Sequence, residues 1–232
     1  MTLFYVPNLA TANVLPEEES LHAVKVLRLQ AGDYIIVVDG VGGYHKARIT
    51  LAHHKRCAFE ILNSQLEFGK RDFKLHIAIA PTKNMDRIEW FTEKTTEMGV
   101  DEISFLKCKN SERTVVKIDR IVKVAESALK QSQQAFMPKI NEIQEYKEFI
   151  KTNTSDIKLI AHCEKESKQH LKQFIAPNKS YTILIGPEGD FNTQEIKDAL
   201  ALHYTPTSLG NSRLRTETAG VFACNAFAVL LD

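Results

Sequence analysis

The sequence predicts an α/β protein, with a small all-β barrel at the N-terminus and a larger domain built on a largely parallel sheet. Three observations predict it. From about residue 75 onward, strand-like apolar runs alternate with segments of helical period, the order that parallel sheets require. Before residue 68 the chain is a series of short β-prone runs separated by tight turns, with one short helix. Between the two lies Glu67-Phe68-Gly69-Lys70-Arg71-Asp72, a polar, glycine-containing linker. The expected domains are therefore 1–70 and 71–232.

The elements follow in order. Pro16-Glu17-Glu18-Glu19 opens a helix that runs through His22, Val24 and Leu27, with Gly32 and Asp33 beyond its end. Tyr34–Val38 is a strand, Asp39-Gly40-Val41-Gly42-Gly43 a turn, Tyr44–Leu51 an alternating return strand, and Arg56–Leu62 a third. The glycines at 40, 42 and 43 are not a dinucleotide loop, because a strand follows them where a helix N-terminus is needed. In the second domain, Leu75–Ala80 is a buried strand, Pro81-Thr82-Lys83-Asn84 a loop, and Met85–Met98 a helix closed by Gly99. Ile103–Leu106 is a strand and Ile118–Ala135 a helix that stops before Pro138. Helices are expected at Ile143–Lys151 and Lys168–Ile175, and strands at Lys158–His162 and Tyr181–Ile185. Asn192 with Glu195 three residues on is a capping-box pattern, and a short strand and an apolar helix complete the chain.

Composition excludes several classes. A chain of 232 residues, 44% apolar, holds enough material for a substantial core. No apolar run reaches the ~20 residues of a membrane-spanning helix, and Met1-Thr2-Leu3-Phe4-Tyr5-Val6-Pro7 lacks the basic start and apolar core of a signal peptide. Cys57, Cys108, Cys163 and Cys224 are scattered without a CxxC pair, which fits a reducing cytoplasm and argues against a zinc site or a disulfide framework. A formal net charge of +1 says little about partners. The adjacent His53 and His54 cannot both face one metal from a strand.

The candidate site is the C-terminal fifth, from Tyr181 to Asp232. A buried strand runs into Gly186-Pro187-Glu188-Gly189-Asp190-Phe191, and a short strand runs into Leu209-Gly210-Asn211-Ser212-Arg213-Leu214-Arg215 before the last helix. Ligands of open α/β sheets bind at the carboxyl ends of strands, and glycine lets backbone approach a flat, polar-edged ligand closely. Glu217 in the first turn of the last helix suits the helix dipole, and Arg215 is placed to project into the same cleft. Either charge is also compatible with a solvated helix start.

These loops carry a resemblance. Gly186-Pro187-Glu188-Gly189, Leu209-Gly210 and Leu214-Arg215-Thr216-Glu217-Thr218-Ala219 resemble the SPOUT methyltransferases, and within them the uridine-N3 methyltransferases of small-subunit (16S) rRNA. So do His22-Ala23-Val24-Lys25-Val26-Leu27-Arg28, Lys94-Thr95-Thr96-Glu97-Met98-Gly99-Val100, Ser111-Glu112-Arg113, Asp119-Arg120 and Gln131-Ser132. The resemblance implies a PUA-like RNA-binding barrel over 1–70 and a methyltransferase domain with a deep trefoil knot over 71–232. It also implies S-adenosylmethionine as methyl donor and a homodimer; binding without metal is expected because the sequence shows no ligand cluster, and a cytoplasmic location because of the scattered cysteines. The chain departs from the family at Asp190, where a second glycine is usual, and at Gln134, near a position that often holds arginine.

Carried over residue by residue, the resemblance places the cofactor against Leu184, Ile185, Gly186, Gly189, Leu209, Gly210 and Leu214. Arg215 is the expected electrostatic group on the target uracil, and Glu217 or Glu188 the proton acceptor. Basic residues at Lys25, Arg28, Lys109, Arg113, Lys117 and Arg120 are expected to meet RNA phosphates, with Lys46 and Arg48 extending the track. Met85, Trp90 and Phe91 fit a core or a dimer interface better than a base-stacking role. Two other readings stand beside the enzyme: a non-catalytic RNA-binding factor, which cofactor binding would exclude, and a knotted enzyme acting on tRNA.

Overall fold

The computed structural model describes residues 1–9, 12–165 and 167–231; Asp232, where the C-terminal stretch ends, lies outside them. The chain forms two compact units, residues 1–70 with 126–137, and residues 71–125 with 138–232.

In the first unit, strands β1 (Leu3–Tyr5), β2 (Tyr34–Val38), β3 (Tyr44–Leu51) and β4 (Ala58–Gln65) form one sheet in the order β1-β2-β3-β4. β1 was not expected from the sequence. It pairs parallel with β2, while Leu15 donates to the Cys57 carbonyl and Phe59 to that of Asn13, each at 2.9 Å. The N-terminal stretch therefore touches both edges of the sheet and wraps it about Phe4, Leu15, Ile35, Val37, Ile49 and Phe59. β2 reads as an unbroken apolar run because both its faces are covered. Ile35 and Val37 face that core, and Ile36 and Val38 face a second one with Leu3, Leu129 and Ala135. Helix α1 (Glu17–Leu21) continues as a π-helical turn over His22–Val26, where Leu27 donates to the His22 carbonyl five residues back.

Helix α2 spans Met85–Glu97 and α3 spans Ile118–Gln131. α3 is shorter than its sequence suggests. Gln133 turns left-handed at φ 57°, and the next residues clasp the β2–β3 turn: Gly42 donates to the Ala135 carbonyl and Met137 to that of Gly40, both at 2.9 Å. Gly42 is fixed by two demands, a φ of +100° and a Phe136 ring that a Cβ would meet at 2.4 Å.

The second unit carries a seven-stranded, all-parallel sheet, as the alternation predicted. Its strands are β5 (Lys74–Ile79), β6 (Glu102–Lys107), β7 (Lys139–Glu145), β8 (Ile157–Ala161), β9 (Gln169–His170), β10 (Ser180–Ile185) and β11 (Thr205–Ser208). Their order is β7-β6-β5-β10-β8-β11-β9. Helices α4 (Tyr146–Thr152), α5 (Thr193–Ala201) and α6 (Thr216–Leu231) complete it. Two expected helices are corrected. Residues 143–145 belong to β7, a half-buried edge strand whose mixed polarity hides its period, and the helix starts only at Tyr146. Residues 168–175 form the two-residue β9 and a 3-10 turn at Leu171–Gln173, which buries Leu171 without needing a full helix. Local signals elsewhere hold: Gly99 ends α2 at φ +79°, and Asn192 and Glu195 exchange both capping-box bonds.

β10 is the middle strand, bonded to β5 on one side and β8 on the other. Tyr181, Ile183 and Ile185 face a core with Ile77, Phe91, Phe105 and Phe227, while Leu184 faces the opposite one with Ala78, Tyr146, Ile160 and Ile196. α6 lies on the first face. Its Gly220 passes so near α2 that a Cβ would sit 2.5 Å from the Phe91 ring.

The β5–β7 part of the sheet carries a partly buried polar network. His76 Nε2 meets Ser104 Oγ at 2.8 Å, Asn141 Nδ2 donates to Ser104 Oγ at 2.8 Å and to Glu102 Oε1 at 2.6 Å, and Lys139 adds 2.9 Å to the same carboxylate. Burial, aided by Lys139 and opposed by Glu102, holds His76 down to about 4, so it folds as the neutral ring. The unfolded chain binds this proton near pH 6.5. Protonation therefore favours unfolding, and this contribution is whole above pH 6.5 and lost as pH falls toward 4. We predict that the urea midpoint drops over that range and that His76→Gln flattens the drop; an equal slope in the variant would assign it elsewhere.

Candidate active site

A cleft of about 770 Å3 opens at the carboxyl ends of β8, β10 and β11. Its walls are the loop after β8 (Ala161-His162-Cys163), the loop Gly186–Asp190 after β10, and the loop Leu209–Arg215 running into α6. The last two loops are joined directly: Thr216 Oγ1 donates to the Gly186 carbonyl at 3.0 Å. Gly186 is closely packed: a Cβ would lie 3.1 Å from both the backbone nitrogen and the ring of Phe191, so a side chain there would require Phe191 to give by a few tenths of an ångström. Gly210 is required by its backbone conformation. Nothing lies within 4 Å of its Cβ position, but its φ is +122°, a conformation closed to other residues.

Of the ten cofactor-binding and catalytic candidates from the sequence, Ile185, Gly186, Glu188, Leu209, Gly210, Leu214 and Arg215 line this cleft. Three do not. Leu184 is fully buried and points to the far side of the sheet, because successive strand residues alternate. Gly189 is backed by Asn110, whose Nδ2 donates to the Gly189 carbonyl at 3.2 Å, so a side chain added there meets Asn110 at 3.2 Å. Glu217 is buried behind the cleft wall, with Arg87 Nε 3.8 Å from its Oε1. Glu188, although exposed, already accepts the Lys83 amide at 2.9 Å through Oε1.

Sequence reasoning missed Arg87, from the first turn of α2, and Lys168, which with Arg213 of the candidate loop add positive charge to Arg215. Lys168 Nζ donates to the carbonyls of His162 at 2.6 Å and Glu164 at 2.7 Å, which shapes the loop after β8. Only the charge of these residues was visible in the sequence. Cys163 is exposed in the same wall; burial and Asp190, against Arg213, push its thiol up, so it stays protonated.

The six basic candidates are not equivalent. In the first unit Lys25 lies in the π-helical turn and Arg28 follows it at φ 58°, both exposed. In the second, the Lys109 and Lys117 side chains are exposed. Arg113 instead donates to the carbonyls of Thr82 and Lys83, its shortest contact 2.5 Å, and Arg120 pairs with Glu89 at 2.6 Å. Among the described residues no group of three His, Cys, Asp or Glu is arranged to hold a metal ion.

Asp190 shows why a side chain is tolerated where the backbone is left-handed, at φ 63°. Its carboxylate accepts the Cys163 amide at 2.7 Å and the Phe191 amide at 2.8 Å, bracing the loop after β10 to the loop after β8. Asp190→Gly removes the brace but relieves the left-handed strain, whereas Asp190→Ala removes the brace and keeps it. Ala should be less stable than Gly by about 1 kcal/mol, since that strain costs roughly 1–2 kcal/mol, and Asp190→Asn should lie nearer the parent. Chemical denaturation of the three variants checks the order; Ala above Gly would refute the strain argument.

Comparisons with known proteins identify the family. An RNA methyltransferase domain model matches residues 70–228, and an RNA methyltransferase PUA domain model matches residues 15–62. A probable rRNA-methyltransferase from Porphyromonas gingivalis, seen in a crystal structure, is 38% identical, with TM-score 0.93 over 100% of this chain and 98% of that one. Ribosomal RNA small subunit methyltransferase E from Neisseria gonorrhoeae, bound to S-adenosyl methionine, is 27% identical, with TM-score 0.86 over 99% and 98% of the two chains. The Bacillus subtilis protein of the same name is 27% identical, covering 91% of this chain and 87% of its own. A catalytic-domain match of this extent, behind a matching PUA domain, means that the chain belongs to the RNA methyltransferase family.

Proposed function

We propose that the chain is an S-adenosylmethionine-dependent enzyme that methylates N3 of a uridine in 16S rRNA. The observation that carries this reading is the cleft itself: two glycine loops at the carboxyl ends of β10 and β11, locked by the Thr216–Gly186 bond, in a chain whose length aligns with small-subunit rRNA methyltransferases. The residues present suit the cofactor. Ile185, Leu209 and Leu214 offer apolar faces to a purine, the backbone at Gly210 is open to its polar edge, and Glu188 and Asp190 bring negative charge to a cationic ligand.

S-adenosylmethionine supplies a methyl group on a positively charged sulfur. The protein's part is to hold the uracil N3 in line with it and to stabilise the negative charge that N3 and the flanking oxygens carry once the N3 proton leaves. Arg215, exposed at the cleft, is the proposed group for that charge. Residues 1–70 are proposed as the RNA-binding domain and 71–232 as the methyltransferase domain, with Lys25, Arg28, Lys109 and Lys117 as phosphate contacts. The family likeness also supports a deep trefoil knot in the C-terminal segment, a cytoplasmic location and a homodimer. For the dimer, Trp90 on α2 and Phe222, Val229 and Leu230 on α6 leave apolar surface at 42%, 37%, 72% and 51% exposure.

Incubation of purified protein with S-adenosylmethionine and either free 16S rRNA or small subunits, followed by nucleoside mass spectrometry, should yield N3-methyluridine. Methylation of another atom, or none on either substrate, would overturn the reading. Arg215→Ala should lower the single-turnover rate about a hundredfold or more while calorimetry finds cofactor affinity nearly unchanged. A near-parental rate with cofactor and RNA saturating would remove Arg215 from the chemistry.

A further inference from the structure

At the cleft wall an arginine and a carboxylate buried behind it form a pair whose parts make sense only together. Arg87 comes from the first turn of α2 and lines the cleft, with its side chain 38% exposed. Its Nε lies 3.8 Å from Oε1 of Glu217, whose side chain is 8% exposed. Glu217 Oε2 is buried and has no hydrogen-bond partner. A buried carboxylate with an unpaired oxygen is costly. It sits in the first turn of α6, where the helix dipole offsets part of that cost. Arg87 is the cation within salt-bridge reach of it among the described residues, through Nε, and the same side chain lines the cleft.

We propose that Arg87 is a second cationic group acting on the reacting uracil, and that Glu217 is the positioning residue that aims it. The proposal rests on the uridine-N3 reading above and deepens it. The reaction breaks the S–CH3 bond and forms N3–CH3. The sulfonium leaves as a neutral thioether, the electron pair for the new bond comes from N3, and the N3 proton passes to solvent water. The slow requirement is the uracil anion, because the neutral N3–H has no pair free to attack. Two guanidinium groups, Arg87 and Arg215, lower the cost of that anion, each presenting planar donors suited to a uracil oxygen. Glu217 is then neither the proton acceptor nor a ligand contact. It fixes the guanidinium so that no reorganisation is needed as charge develops. Arg213, Lys168, Glu188, Asp190, His162 and Cys163 also face the cleft and are unchanged in every variant below.

The test is the pH profile of single-turnover methylation, with cofactor and RNA saturating, for the parent, Arg87→Ala, Arg87→Lys, Glu217→Gln and the Arg87→Ala/Glu217→Gln pair. Arg87→Ala should slow the reaction at least tenfold near pH 7, and the deficit should shrink as pH rises, because the uracil then ionises unaided. Arg87→Lys should recover part of the rate. Glu217→Gln should slow the parent but change nothing further once Arg87 is Ala, with thermal midpoints close to the parent. A deficit independent of pH, or one seen only in RNA affinity, would overturn the role of Arg87. Additive losses in the double variant would overturn that of Glu217. A parent enzyme that forms no N3-methyluridine would instead defeat the reading beneath the proposal, so the two failures are distinct.

Discussion

The second unit depends on the placement of β10. This strand is late in the chain yet lies at the middle of the sheet, bonded along its length to β5, more than a hundred residues earlier, and to β8. Until residues 180–185 are in place, β5 and β8 each present an unpaired edge. Both of β10's faces are then buried, by different side chains. Its carboxyl end is where the chain leaves the sheet as Gly186, and the carbonyl of that glycine receives the Thr216 hydroxyl. The register of the central strand therefore sets the position of the first loop, the hydrogen bond sets the second, and the cleft is what lies between them.

Much of this was legible because the signals are local. Alternating strand and helix periods identified the parallel sheet, Asn192 and Glu195 identified a helix start, and the two glycine loops fell where the cleft opens. The failures share a cause. β7 is a half-buried edge strand, so its sequence Lys-Ile-Asn-Glu-Ile-Gln-Glu carries no clean period of two. The Leu171 region shows helical spacing, but a single turn satisfies its burial. The end of α3 was overestimated because Ala135 and Phe136 are apolar for another reason, as partners of the β2–β3 turn.

The site shows the same limit more sharply. Residue type announced charge at Arg87, Arg113, Lys168 and Asp190, but not what the charge is spent on. Arg113 holds backbone carbonyls, Lys168 holds two more, and Asp190 holds two amides. Each of these partners is a main-chain group in a loop, invisible to any pattern of side chains. Leu184 and Ile185 illustrate the geometric version: adjacent in sequence, they point to opposite faces of one strand.

The fastening of the Lys83 loop has a consequence for how RNA binding is measured. Its carbonyls take the Arg113 guanidinium, its amide is held by Glu188, and the Lys83 ammonium pairs with Glu112 at 2.9 Å. These charge-assisted contacts are far shorter than the screening length, about 8–10 Å near physiological ionic strength, but in reach of solvent they still weaken as salt rises. Added salt therefore loosens a wall of the protein as well as releasing counterions from the nucleic acid. A plot of log affinity against log salt, read as a count of neutralised phosphates, would include this internal change and overstate the number of contacts. Subtracting the salt response of the free protein, followed by a probe in the Lys83 loop, gives the true count.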